Sequence, residues 1–370
     1  MTPYPPSPTI PEETEYAFRA VAAAKNREEI KMSSVLDRIT IGAPELYRRD
    51  GELDFTLDAS FVPLRGPDGS WTFLQTTFCE EPYYHAFSGT PENVLETPGL
   101  YEMDYNGYTD YRGSGVWVMS AYRYPDGLLA GFCHRELLNH NDPAFGNCFF
   151  IGLALSRDNG KSWKYLGDVA GNVLNGKRYL PNMGGCPLLV RDGWFYVYFN
   201  DYDLTGLQRV TAARMRVDET REALLAEKLP AVFKYTGSGV WATDPMRETG
   251  ARILPDVGFH PDAHAKGVYC RPLDRYLLTM QTNGEARLLL FFSRDCEHFD
   301  EYLVLDEAEE GKWMQPYSFF ITADGDSSDD MNEVGSSFYV YYPRKGLLGN
   351  EKDGVGYDHD DVYRRLITVK

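Results

Sequence analysis

The chain has 370 residues, 43% hydrophobic and 14% aromatic, enough for one large core or two modest ones, so disorder of the whole is excluded. Its formal net charge is −18 and no stripe of lysine and arginine is visible, which argues against nucleic acid or an anionic membrane as partner and leaves neutral substrates open. The six cysteines show no CxxC pair or zinc-finger spacing and read as buried thiols, with a Cys133–Cys148 bridge as the alternative.

In chain order, "MTPYPPSPTIPEETEY" is proline-rich and extended. It lacks a basic region followed by an apolar one. The protein therefore reads as cytoplasmic if the sequence is complete, and as secreted or periplasmic if a leader has been removed. No apolar run approaches the ~20 residues of a membrane-spanning helix. Glu12, Glu13 and Glu15 crowd a first turn, and Phe18, Val21 and Ala22 keep a helical period. Together they predict one helix over 12–30, packed as a cap, with homo-oligomerisation through it left open. Residues 1–45 form this N-terminal extension.

From residue 46 onward, short apolar runs alternate with Pro/Asp/Gly turns: "RGPDGSW", "RYPDGLL", "VRDGWF" and "CRPLDRYLL". Each turn joins an apolar strand to an aromatic-rich one. The pairs are "SFVPL" with "SWTFLQTTF", "VWVMSAY" with "LLAGFCH", "CPLLV" with "WFYVYFN", and "KGVYC" with "YLLTMQ". "YSFFIT" with "SSFYVYY" is a fifth, less regular pair. "FFIGLALS", "VTAARMR" and "ARLLLFFS" each add a further strand, and "DVYRRLITVK" can serve the fifth. This is a repeat of about 60 residues, five times over. One small antiparallel sheet cannot bury both faces; packing such sheets radially does. The predicted fold is all-β, a five-bladed β-propeller over 46–370, with a β-sandwich or a two-domain sheet protein as the competing architecture.

"SRDNGKSW" (Ser156 to Trp163) and "SRDCEHF" (Ser293 to Phe299) then read as one turn used in two blades. The first resembles the Asp-box, S-x-D-x-G-x-[ST]-W, of sialidase-like propellers. "IGLALSRDNGKSW" is also similar to a segment of five-bladed glycoside hydrolases such as arabinanases and xylosidases. The resemblance implies structural roles for Asp158, Gly160 and Trp163. The second copy has Glu297 and Phe299 where the first has the glycine and tryptophan.

In a propeller, the start of each first strand and the end of each second strand converge on one mouth. That rule collects Asp58, Glu80 and Glu81 from blade one; Arg112, His134, Arg135 and Glu136 from blade two; Asn182, Asn200, Asp201 and Asp203 from blade three; and His260, Asp262, His264 and Lys266 from blade four. It also places the acidic run "ADGDSSDDMNE", with Glu333, at that mouth for blade five. Strand alternation sends His134 and Glu136 to one face and Arg135 to the other, and puts His260, Asp262, His264 and Lys266 on one side. Ionisable groups among apolar strand residues need partners or a function; a structural ion pair is the bland reading for each. "HPDAHAK" is compatible with a metal site, a structural cluster, or sugar or phosphate recognition.

Glycoside hydrolysis needs a carboxylic acid to protonate the leaving oxygen and a carboxylate to activate water or attack. Carried over by position, the resemblance implies Asp58 as base or nucleophile; strand-end position, not a family signature, makes Glu136 the expected general acid, with Asp262 or Asp201 orienting substrate or holding the acid's pKa up. His134 and His264 would bond hydroxyls, beside Arg112, Asn182, His260 and Lys266 as further substrate contacts. The Asp-Pro that usually opens blade one in such enzymes is here Asp58-Ala59. The expected partner is an oligo- or polysaccharide. No cofactor is required, a divalent metal such as calcium at Ala323 to Asp330 being the alternative. The competing functions are a polysaccharide lyase, a glycoside phosphorylase, a sialidase using Arg112, Arg135 and Arg271, and a noncatalytic carbohydrate-binding propeller.

Overall fold

The structure, a computed structural model, describes residues 35–48, 59–80, 82–108, 115–137, 148–173, 175, 183–257, 261–282, 287–307, 313–314, 317–345 and 360–370. The helix expected over 12–30 lies outside them. The unit from Arg38 to Lys370 carries every described strand.

Its first strands, β1 (Ile39–Ile41) and β2 (Glu45–Arg48), belong to the last blade. Blade one is β3 (Val62–Arg65), β4 (Trp71–Glu80), β5 (Tyr83–Thr90) and β6 (Asn93–Asp104). Blade two is β7 (Gly115–Arg123), β8 (Leu129–Leu137), β9 (Cys148–Ser156) and β10 (Ser162–Gly171). Blade three is β11 (Gly185–Arg191), β12 (Trp194–Tyr202) and β13 (Gln208–Arg216), then α1 (Val217–Leu225), β14 (Phe233–Gly237) and β15 (Val240–Ala242). Blade four is β16 (Pro261–Asp262), β17 (Gly267–Cys270), β18 (Arg275–Thr282), β19 (Arg287–Ser293) and β20 (Glu301–Glu307). Blade five is β21 (Trp313–Met314), β22 (Phe319–Thr322), β24 (Ser337–Lys345) and β25 (Asp360–Val369); β23 (Glu333–Val334) reaches over to pair with β17.

The protein is a five-bladed β-propeller. Every strand pair and every third strand read from the sequence is present. Within blades all neighbouring strands run antiparallel, and successive inner strands β3, β7, β11, β17 and β22 pack side by side. Phe61 on Phe319, 4.8 Å between ring centroids, brings the first blade back to the last. Closure is completed by β1, whose Ile39, Thr40 and Ile41 pair with Val369, Thr368 and Ile367 of β25. Residues 39–41, assigned to the extension by sequence, are therefore the outer edge of blade five.

Apolar cores fill the gaps between blades one and two, two and three, and three and four. The two SRD segments occupy the turn before the outermost strand, in blades two and four. Asp158 Oδ1 accepts from Ser156 Oγ (2.8 Å) and from the Ser162 N–H (2.9 Å), Gly160 takes φ +83°, and Trp163 Nε1 donates to Gly160 O (3.0 Å). Trp163 is buried against Gly131, where a Cβ would lie 2.5 Å from the indole. In the second copy the same serine–aspartate lacing recurs through Ser293 and Asp295, with Phe299 buried in the tryptophan's place. The Cys133, Cys186, Cys270 and Cys296 thiols are free, so the alternative Cys133–Cys148 bridge does not form. No described helix is long and apolar enough to cross a membrane.

Candidate active site

Two carboxylate–imidazole pairs meet at one mouth of the propeller. On β8, alternation puts His134 and Glu136 on the same face, and His134 Nε2 lies 2.9 Å from Glu136 Oε1. Arg135 points the opposite way, as its parity requires: its Nε and Nη2 grip Asp168 at 2.7 and 2.8 Å, and its Nη1 donates to Tyr108 O.

The second pair comes from the segment around β16. Asp262 Oδ1 accepts from the backbone N–H of His264 (3.0 Å), pairs with its Nδ1 (2.6 Å), and accepts from Asn200 Nδ2 (3.0 Å). Burial alone would raise this carboxyl's pKa. The charge and hydrogen bonds of His264, with the Asn200 bond, outweigh burial and hold it down at about 2. Asp262 is thus an anion at neutral pH. The two pairs touch through their rings, His134 and His264 lying edge to face at 5.6 Å. Trp117 and Phe149 stack along His134, and Tyr317 of blade five stands edge-on to His264 at 6.0 Å.

Beneath them, a polar floor joins all five blades. Ser60 Oγ (blade one) donates to Ser318 O (blade five) at 2.9 Å and lies 3.5 Å from His264 O. Ser318 Oγ donates to Thr279 Oγ1, which bonds Lys266 O, both in blade four. Lys266 Nζ crosses to Met119 O (2.6 Å) and Ser120 Oγ (3.2 Å) of blade two, and Ser120 Oγ donates to Cys186 O of blade three. Burial pushes the Lys266 ammonium's pKa down to about 7, against the opposing pull of Cys186 and Asp330.

Several sequence assignments change. Asp201 does not face the mouth: it forms a wholly buried ion pair with Lys234 (2.8 Å) and also accepts from Asn172 Nδ2, Tyr202 N and Gly250 N. It fastens blade three internally and ties it to Asn172, just beyond β10 of blade two. Lys266 belongs to the floor, and His134 is bound to Glu136 and only 5% exposed, so neither offers itself to a substrate hydroxyl. Asp58, Glu81, Arg112, Asn182 and His260 lie outside the described residues.

The acidic run of blade five sits at the other end of the propeller, because it is the turn between the blade's two inner strands and so matches "RGPDGS" and "RYPDG". There, Asp329 O accepts from Arg65 N (2.7 Å), the Asp330 carboxylate from Arg123 N (2.8 Å), and Asn332 O from Tyr269 N. The run laces four blades together. A cavity of about 580 Å³ opens beside it, lined in part by Tyr122, Arg123 and Asp330, away from both imidazole pairs. Arg271 is also at that end, bound to Asp326 and Glu333, so Arg135 and Arg271 do not join in a sialidase-type triad. Among the described residues no three His, Cys, Asp or Glu side chains gather as a metal site.

Asn200 is the residue whose role the sequence missed. Strand-end logic puts it at the mouth, and the structure has its amide bond Asp262 on one side and the Ala263 N–H (2.9 Å) on the other. Trp117 was legible only through pairing, as the residue opposite His134 across β7 and β8.

No protein-family model matches the chain, and no curated protein matches it. Solved structures do. An α-L-arabinofuranosidase from Lactobacillus brevis is 11% identical with a TM-score of 0.48, over 84% of this chain and 91% of that one. A family 117 glycoside hydrolase from Zobellia galactanivorans is 9% identical with a TM-score of 0.48, over 88% and 90%. The catalytic domain of a GH62 α-L-arabinofuranosidase from Coprinopsis cinerea is 11% identical with a TM-score of 0.45, over 90% and 97%. The likeness is one of fold alone.

Proposed function

We propose that the protein is a glycoside hydrolase acting on a neutral or weakly charged glycan. The observation that carries this reading is the meeting of Glu136 and Asp262, from different blades, at one mouth, each bonded to an imidazole and the imidazoles in contact. Asp262, held as an anion, cannot donate a proton; it supplies negative charge opposite a developing oxocarbenium ion. Glu136 is the general acid, and Asp58 the base or nucleophile. A lyase needs a cation at the mouth to neutralise a uronate. Among the described residues, Arg135 is committed to Asp168 and Lys266 to the floor, which favours hydrolysis.

The test is incubation with a panel of 4-nitrophenyl glycosides and polysaccharides, with products read by mass. Glu136→Gln should lower kcat by about 10²–10⁴ on unactivated glycosides and far less on 4-nitrophenyl ones, whose leaving group needs little protonation. Unsaturated products, or a phosphate requirement, would replace hydrolysis with elimination or phosphorolysis.

A further inference from the structure

His134 stands where the two pairs meet, yet it is almost wholly buried. Its ring stacks with Trp117 on β7 (centroids 5.5 Å apart, planes at 23°) and with Phe149 on β9 (6.1 Å, 11°). Nε2 faces Glu136 Oε1, while Nδ1 is buried without a hydrogen-bond partner among the described residues. Among the described residues, the titratable groups facing the ring are Glu136 on its own strand and His264 from blade four, with Asp262 behind His264. A proton on Nδ1 would bury an N–H with no acceptor, the rarer and costlier kind of orphan. A proton on Nε2 leaves only a bare lone pair among aromatic rings and makes Nε2 a donor to Glu136 Oε1, with Oε2 left to carry the acid's own proton.

We propose that His134 is a positioning residue: the Trp117–Phe149 stack holds it as the Nε2–H tautomer, and it fixes Glu136 Oε1, and so the rotamer from which Glu136 transfers its proton. This rests on the reading of Glu136 as general acid. The two aromatic walls keep the imidazole plane in place, so the donor points at Oε1 before any substrate arrives.

Two substitutions separate the bond from the stack. His134→Phe keeps a ring between Trp117 and Phe149 and removes the donor. His134→Gln gives up the ring and places an amide N–H near the position of Nε2. On a 4-nitrophenyl glycoside that the unaltered protein cleaves, His134→Phe should lower kcat at least about tenfold with KM kept within about threefold, and His134→Gln should retain more kcat than His134→Phe. Unchanged kcat in His134→Phe, or a glutamine variant slower than the phenylalanine one, overturns the proposal. ¹⁵N-histidine NMR of the full chain gives a readout independent of turnover. His134 should show a protonated Nε2 whose resonance moves in Glu136→Gln. An Nδ1–H tautomer, or no response to Glu136→Gln, overturns the proposal as well. Absence of any glycoside cleavage counts against the hydrolase reading, and the NMR result then decides the His134–Glu136 contact alone.

Discussion

Replacing Asp201 by alanine tests the claim that this carboxylate holds blade three together and does not touch substrate. The change removes the counter-charge of Lys234, whose side chain is wholly buried, and leaves it Gly171 O and Glu248 O as hydrogen-bond acceptors among the described residues. It also removes an acceptor from the Gly250 N–H. Breaking one partner of a buried pair costs about 3–5 kcal/mol, and the lost acceptor pushes toward the upper end. For a domain of this size, with about 0.7 kcal/mol/K of unfolding entropy, a loss of 4 kcal/mol lowers Tm by about 6 °C. Burial already pushes the Lys234 pKa down while Asp201 pulls it back. Without Asp201 the folded state holds that proton more weakly still than the unfolded chain does, so the variant's stability should climb with pH more steeply than the parent's. Urea denaturation at several pH values measures both effects, and the double variant Asp201→Leu/Lys234→Met should recover at least half of the loss. Below the variant's Tm, kcat/KM should stay within about threefold of the parent. A stability loss under about 1 kcal/mol, or a collapse of kcat in a well-folded variant, would refute the assignment.

Lys266 makes a second prediction. It keeps its proton to about pH 7 in the fold and to about pH 10.4 in the unfolded chain. Between those values the unfolded state binds more protons, so this group makes stability rise with pH, by at most about 1.4 kcal/mol per unit. Lys266→Met should remove that rise in denaturant midpoints taken from pH 7 to 9. Asp262 acts with the opposite sign: its depressed pKa contributes stability above about pH 4 that is lost as pH falls through about 2. Asp262→Asn should therefore show a shallower acid-unfolding curve. Trp163→Ala, which empties the anchor of the first SRD turn, should cost about 3–5 kcal/mol by urea denaturation, with kcat unaffected in the folded fraction.

The blades were legible because each repeats one physical unit, an apolar strand, a Pro/Asp/Gly turn and an aromatic strand, and such units need neighbours to bury their faces. The pairing of His134 with Glu136, and Arg135's departure to the other side, followed from strand parity alone. The fate of Asp201 did not, since its partner Lys234 lies beyond α1, in a fourth strand that carries no turn signal of its own. The nine-residue α1 escaped notice because it interrupts a blade, where the repeat leads one to expect only another strand. Misplacing the acidic run was an error of strand direction: as the link between two inner strands it had to lie with the other hairpin turns. Asn200's role stayed hidden because its partners, Asp262 and Ala263, come from another blade.

The three-residue strand β1 has a mechanical consequence. Ile39 faces Val369, so the chain enters and leaves the ring at the same end of a short antiparallel ladder. Traction on the two ends would peel these pairs one after another, like a zipper, instead of loading them all in shear. The clasp that closes the ring by joining first strand to last therefore gives way readily to a pull, and blade five is where forced opening begins.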